Sequence, residues 1–444
     1  MKIKILPDYH LWHPFTQMKG YKPLIIEEGK GSWLKDKSRN WYLDGVSSLW
    51  VNVHGHRHPD MDRAIRSQLK KVAHTTLLGL ANPPAVELAK ELVAIAPAGL
   101  KRVFYSDSGS EACEISLKIA FQYWQQCSNP KRNKTRFIHL DQSYHGDTLG
   151  AVSVGGIELF HNIYKPLLFK TLSTPSPYCY RCPFGKNEKT CGKKCLEELE
   201  RLMARRHKEV AGLIMEPLIQ GAAGMITHPP GFLREVRRLT HKYNLLLILD
   251  EVATGFGRTG TMFACERENV SPDILVIAKG LTGGYLPLAA TLTTDKVYKA
   301  FLGEYREKKT FFHGHTYTGN PLACSAALAN LEIFKKEKTL ARLKNKIKLL
   351  KKLLLPFKDL SHVGEVRQCG FIAGIELVKD KKTREEYLWG EAMGLKVGLM
   401  AREKDIIIRP LGNVIVIMPP LAIKNWELRK LIEGIYESIK EVTE

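Results

Sequence analysis

No stretch of this chain stays apolar long enough to cross a bilayer, and Met1 to His10 lack the apolar core of a secretory leader. Membrane-spanning and exported proteins are therefore argued against, and a cytoplasmic location is expected. Acidic residues are few beside basic ones, 46 against 67, which leaves a formal charge of +21. Such a balance suits acidic or phosphorylated ligands, but here the excess is spread along the chain. Its densest part, Lys335 to Lys358, is interleaved with Leu340, Leu343, Ile347, Leu350 and Leu354. That is the spacing of an amphipathic helix with a solvated face, so no nucleic-acid partner is expected. Internal repeats and low-complexity tracts are also missing.

Cysteines number nine, an odd and small count for 444 residues, which excludes the disulfide framework of a small secreted domain. Cys113, Cys127, Cys265, Cys324 and Cys369 stand in apolar or mixed surroundings suited to buried thiols. The other four, Cys179, Cys182, Cys191 and Cys195, follow a C-x2-C-x8-C-x3-C spacing. A structural zinc, disulfides and free thiols are all open for them, and no metal is assigned. His54, His56 and His58 alternate, but no acid or cysteine stands at ligand spacing beside them, so a structural turn is expected.

What is present is a repeating order of helix and buried strand, in a chain long enough for two domains. Residues 1–59 form an N-terminal segment, 60–330 a large domain, and 331–444 a smaller α+β region. Helices are predicted near Asp60 to Val72, Pro84 to Ile95 and Leu322 to Phe334, strands over Arg102 to Tyr105, Arg136 to Leu140 and Gly370 to Val378, and a last helix from Trp426. Three apolar runs end in charge: Met215 leads into Glu216, Leu249 into Asp250, and Ile277 through Ala278 into Lys279. Continuous runs of this kind suit parallel strands buried on both faces, whose ligands collect beyond the strands' carboxyl ends. Unpaired burial would cost several kcal/mol for each charge in rough terms, so the three side chains are expected to meet in one crevice.

Other residues point to the same crevice. Ser108-Gly109-Ser110 lies between a strand and a helix, where free backbone N–H groups and the helix dipole favour an anion; an ordinary serine cap is the simpler alternative. Tyr144, in a glycine turn after another strand, could lie flat on a planar ligand or sit in the core. Gly314, His315 and Thr316 offer N–H and hydroxyl groups suited to a phosphate. Arg409, at a strand end, is placed to clamp a carboxylate or to make a surface ion pair.

Asp250-Glu251-Val252-Ala253-Thr254-Gly255-Phe256-Gly257-Arg258-Thr259-Gly260, followed by Ala278-Lys279-Gly280 with Lys279 29 positions after Asp250, resembles the signature of class III pyridoxal-phosphate aminotransferases. The resemblance spans nearly the whole chain. It implies an α/β protein of the type I pyridoxal-phosphate-dependent fold, with a mostly parallel seven-stranded sheet in the large domain and a small α+β domain from both chain ends. It also implies a homodimer with shared active sites. By this resemblance Lys279 holds pyridoxal 5'-phosphate covalently and shuttles a proton, and Asp250 pairs with the ring nitrogen. Gly109 and Ser110 would bind the phosphate with His315 and Thr316 of the second subunit. Tyr144 and Val252 would cover the ring faces, and Glu216 would complete the cofactor pocket.

Trp12-His13-Pro14-Phe15-Thr16, Tyr144-His145-Gly146-Asp147-Thr148 and His313-Gly314-His315-Thr316 are similar to the members that aminate 8-amino-7-oxononanoate in biotin biosynthesis, usually with S-adenosylmethionine as donor. The substrate wall is then expected from Phe15, Leu49, Trp50, Tyr144, Lys279, Gly314 and Arg409. S-adenosylmethionine users typically show two consecutive tryptophans where this chain has Leu49-Trp50, and tyrosine where it has Phe15. A subset resembling this chain around Ser47 to His56 uses lysine, so either donor fits. Another class III ω-aminotransferase, acting on ornithine, 4-aminobutyrate or a diamine, is the alternative.

Overall fold

The computed structural model describes residues 10–186, 191 and 193–444, so nearly all of the amino-terminal stretch searched for a leader lies outside the described residues. Its centre is a sheet of β1 (Leu100–Ser106), β2 (Arg136–Leu140), β3 (Leu172–Thr174), β4 (Val210–Met215), β5 (Leu246–Asp250), β6 (Ile274–Ile277) and β7 (Ala289–Thr294). The strand order is β1-β7-β6-β5-β4-β2-β3. From β6 to β3 every pairing is parallel, while β7 runs antiparallel to both its neighbours. Every residue of β4, β5 and β6 is buried, which is why these segments read as unbroken apolar runs.

Register brings the strand ends together. Met215 is opposite Leu249, and Asp250 is opposite Val276, so Glu216, Asp250 and Lys279 leave the sheet along one edge. Strand β7 was not expected, because Ala-Ala-Thr-Leu-Thr-Thr has little apolar character. It is nonetheless buried, and Thr291 satisfies its hydroxyl by donating to the Ala112 carbonyl at 3.0 Å. That carbonyl belongs to α1 (Gly109–Gln126), whose stripe of Ala112, Ile115, Ile119 and Tyr123 is buried against the sheet. No helix among the described residues is long and apolar enough to cross a membrane.

Both ends of the chain share a second sheet, in which strands Ile26–Lys30, Trp33–Asp36 and Trp41–Asp44 are joined by Ile406–Ile407. A third, antiparallel sheet contains Val363–Cys369, Ile372–Leu377 and Val414–Ile417. The single strand expected over 370–378 is thus one arm of a hairpin. Gly370, at φ 62°, makes its turn where a Cβ would stand 2.3 Å from the Thr259 carbonyl carbon. The helix expected over 335–358 is also divided: Pro321–Lys336 ends inside it, Lys338 adopts φ 50°, and Thr339–Leu353 begins afresh with Leu343 and Leu350 buried. The alternating histidines take separate partners, His54 on the Asn330 carbonyl, His56 on Asp44 and His58 on Glu337.

Arg258, only 1% exposed, joins the three regions. Its guanidinium donates to the Pro419 carbonyl at 2.7 Å and the Asn52 carbonyl at 2.8 Å, with a longer bond of 3.4 Å to that of Trp50. Replacing it strands buried carbonyls, so Arg258→Met is expected to lower the unfolding free energy by about 3 kcal/mol in urea titrations. A loss below about 0.5 kcal/mol would show that those carbonyls find other donors.

Candidate active site

A cavity of about 420 Å³ opens at the carboxyl ends of β4, β5 and β6. Glu216, Asp250 and Lys279 all line it, as their common edge requires, together with Gly109, Ser110, Tyr144, Val252 and Trp50. The adjacent acids at the end of β5 serve different purposes, since successive strand residues point to opposite faces. Asp250 faces the cavity. Glu251 turns into the core, where it accepts from Thr254 Oγ1 at 2.9 Å and from the N–H groups of Ala264 and Cys265 at 2.8 and 2.9 Å, fixing the glycine loop.

Asp250 is 4% exposed and held by three donors. His145 Nδ1 is 2.7 Å from Oδ2, the Val252 N–H donates to Oδ1 at 3.0 Å, and the Cys113 thiol lies 3.5 Å from Oδ2. Burial and the Asp250 charge push the Cys113 thiol well above its ordinary range, so it keeps its proton and can donate. Lys279 sits at φ 45° just past β6, with its Nζ 5.2 Å from the centroid of the Trp50 ring. Burial pulls its amine below the usual lysine range, while the Asp250 and Glu216 charges pull the other way. Burial also raises the Glu216 carboxyl to about 7; this side chain accepts from the Gly221 N–H at 2.8 Å and the Tyr144 N–H at 3.2 Å.

The start of α1 is a serine-capped helix N-terminus that faces the cavity. Ser108 and Glu111 form a capping box that occupies the Glu111 N–H, leaving Gly109 and Ser110 as the first helical residues, whose amides have no carbonyl to reach within the helix. Close packing keeps this part of the cavity narrow: a Cβ on Gly109 would stand 2.7 Å from Val252 Cγ1, and one on Gly146 would stand 2.3 Å from Ser110 Oγ. A buried carboxylate, an amine and the free amides of a helix N-terminus lining one cavity fit the charges of pyridoxal phosphate. Lys279, Asp250, Val252, Tyr144, Gly109 and Ser110 are the residues that would hold it.

The outer wall rests on an unusual backbone. Ser47, Ser48, Leu49 and Trp50 all have positive φ, 53°, 48°, 69° and 71°, making one turn of left-handed helix. Each such residue costs about 1–2 kcal/mol, and the turn is held by buried Asp44, which accepts from the Ser48 N–H and Oγ, and by Ser47 Oγ on the Met418 carbonyl. Trp50 is thereby turned into the cavity, whereas Leu49 is 49% exposed.

The remaining expected residues stand apart from this cavity. Phe15 reaches it through a chain of rings, packing on Phe160 with centroids 5.3 Å apart, while Phe160 packs on Tyr144 at 6.3 Å. Arg409 donates to the Phe15 carbonyl at 3.2 Å. Gly314, His315 and Thr316 do not line the cavity of their own chain; His315 Nε2 lies 3.2 Å from His313 Nε2 and 4.0 Å from Glu111. Three residues were not singled out from sequence. His145 and Asp147 flank Gly146 in the quoted Tyr144 motif, and Asp147 accepts the Tyr144 hydroxyl at 2.7 Å. Cys113 gave no signal, since a buried thiol in a helix looks like core.

Residues 16–439 match the profile of the family described as aminotransferase class-III. A Geobacter sulfurreducens protein, adenosylmethionine-8-amino-7-oxononanoate aminotransferase, is 56% identical over 453 positions, covering 99% of this chain and 100% of the relative. The crystal structure of adenosylmethionine-8-amino-7-oxononanoate aminotransferase from Methanocaldococcus jannaschii superposes with a TM-score of 0.93 at 49% identity, over 98% of this chain and 97% of that one. A PLP-bound amine transaminase from an uncultivated Pseudomonas species has the same TM-score at 34% identity, over 98% and 99% of the two chains.

Folded Glu216 keeps its proton up to about 7, whereas its ordinary value is 4.5. The folded state therefore binds the extra proton between those values, and this group's contribution to stability falls as pH rises through the window. Cofactor-free protein carrying Glu216→Gln should lose less stability from about pH 5 to about pH 8 than the parent does. Equal pH slopes in calorimetric melts of the two proteins would contradict a proton-holding Glu216.

Proposed function

Because the chain belongs to the class III aminotransferase family, we propose that it converts 8-amino-7-oxononanoate to 7,8-diaminononanoate, a step of biotin biosynthesis, using S-adenosylmethionine as amino donor. It is a pyridoxal-phosphate-dependent aminotransferase. The observation that carries the substrate reading is the full-length identity of 56% to a relative named for that reaction, combined with a cavity that holds Lys279, Asp250 and the α1 amides together.

Pyridoxal phosphate, when bound, supplies a carbonyl to carry the amino group and a ring that withdraws electrons from the reacting carbon. The chain does the rest. Lys279, whose amine burial keeps closer to neutrality, would hold the cofactor until the substrate amine displaces it, and the freed amine would then move the proton at the substrate carbon. Asp250, held by its three polar neighbours, would pair with the ring nitrogen. The Gly109 and Ser110 amides would bind the phosphate, and Tyr144 and Val252 would cover the ring. Trp50 presents an aromatic face beside Lys279, suited to a sulfonium donor. Lysine is the second reading for the donor, because Leu49 and Phe15 stand where an indole and a phenol are expected.

The acting unit in this reading is a homodimer located in the cytoplasm. Residues 1–59 and 331–444 make up its small domain around the 60–330 core. His315 and Thr316 complete the phosphate site of a second copy, which explains why they lie off their own cavity. The exposed apolar side chains of Leu78, Leu80, Phe312 and Tyr317 support a covered surface near that loop.

Lys279→Ala is expected to reduce turnover by more than about a thousandfold and to abolish fixation of the cofactor to the chain by borohydride, read by mass spectrometry. Retained turnover and fixation would overturn the role of Lys279. In a donor panel with 8-amino-7-oxononanoate, S-adenosylmethionine should support diamine formation; activity with lysine alone selects the second donor. Activity confined to 2-oxoglutarate and ornithine would refute the substrate reading.

A further inference from the structure

Cys179, Cys182, Cys191 and Cys195 border one cavity of about 320 Å³ that shares no lining residue with the cofactor pocket. Among the described residues Cys182, Cys191 and Cys195 form no disulfide. The first pair is held on a turn fixed to the small domain. Tyr178 donates its hydroxyl to Glu376, Arg181 Nε lies 2.6 Å from the same carboxylate, and Arg181 Nη1 donates to the Arg384 carbonyl at 3.0 Å. After Cys182 the chain turns back at Gly185, φ 63°, whose N–H bonds the Cys182 carbonyl at 3.0 Å.

The second pair has the backbone of a sulfur-ligand turn. Lys193 is left-handed, φ 63°, and its N–H donates to Cys191 Sγ at 3.2 Å. Cys195 follows in the first turn of α2 (Lys194–Arg206) and is buried. Phe184, Pro229 and Phe232 wall the cavity, and Lys193 and Lys194 also line it.

We propose that Cys179, Cys182, Cys191 and Cys195 bind one structural zinc ion, which fastens the turn before α2 to the Tyr178–Cys182 turn and so to the small domain. The ligand set is four thiolates, paired at close spacing on two turns, as closed zinc sites require. No three of these sulfurs lie within 4.8 Å of one another among the described residues. Zinc–sulfur bonds of about 2.3 Å set tetrahedral sulfur separations near 3.8 Å, so ligation draws the two turns together. Binding releases the thiol protons and involves no oxidant or reductant.

The test is elemental analysis of the holoenzyme purified without chelator. One zinc per chain is expected, released on titration of the thiols with a mercurial and detected with a metallochromic dye. Cys191→Ser/Cys195→Ser should lose the zinc and melt at lower temperature while keeping the visible absorbance of bound cofactor. Should that variant fail to fold, Cys179→Ser and the parent stoichiometry decide the matter. Absence of zinc after reconstitution with zinc sulfate, iron in its place, or an intact mass lowered by disulfide formation would each overturn the proposal. None of these results depends on the substrate, so the site can fail while the aminotransferase reading stands.

Discussion

A single carboxylate has to find polar partners where water hardly reaches, and much of the active-site architecture answers to that demand. Asp250 ends a strand buried along its whole length, and an isolated ion there would cost several kcal/mol in rough terms. His145, the Val252 amide and the Cys113 thiol meet that cost by directing donors at its two oxygens. Those donors come from three different places: the turn after β2, the loop after β5, and α1. The parallel sheet is what brings them to one point, so the carboxylate at the centre and the topology around it depend on each other.

The same edge also explains what was readable in the sequence. Three apolar runs ending in charge predicted a crevice, and the register of β4, β5 and β6 places Glu216, Asp250 and Lys279 along it. The strand, short turn and serine-capped helix around Gly109 and Ser110 were equally legible, because all three are local. Strand β7 was hidden by its threonines, whose burial depends on a bond to α1 that no local pattern reveals. The break at Lys338 was hidden because a helical stripe of leucines continues across a single left-handed residue. Cys113 could not be told from core until Asp250 appeared beside it.

Residues of the substrate wall were named from a resemblance, and one chain only partly assembles them. Trp50 and Tyr144 meet Lys279 in the cavity, while Phe15 and Arg409 form a second layer behind Phe160. Gly314 to Thr316 lie elsewhere on their own subunit. Their role follows only if a second copy lends them, and a sequence pattern carries no direct record of which subunit a residue serves. Chemistry near the sheet is therefore more legible than specificity, which is built from segments far apart in the chain.

The left-handed turn at Ser47–Trp50 has a consequence for the order of events in the cell. It cannot nucleate by itself, since each of its residues opposes that conformation, and its restraints include the carbonyls of Met418 and Pro419 reached by Ser47 and Arg258. Trp50 is thus among the early residues to leave the ribosome, and the groups that set its position are among the late ones. A nascent chain can assemble its cofactor-binding sheet well before it owns a finished substrate wall. Contact of this turn and of Arg258 with Met418 and Pro419, rather than formation of the central sheet, is the event that fixes the position of Trp50.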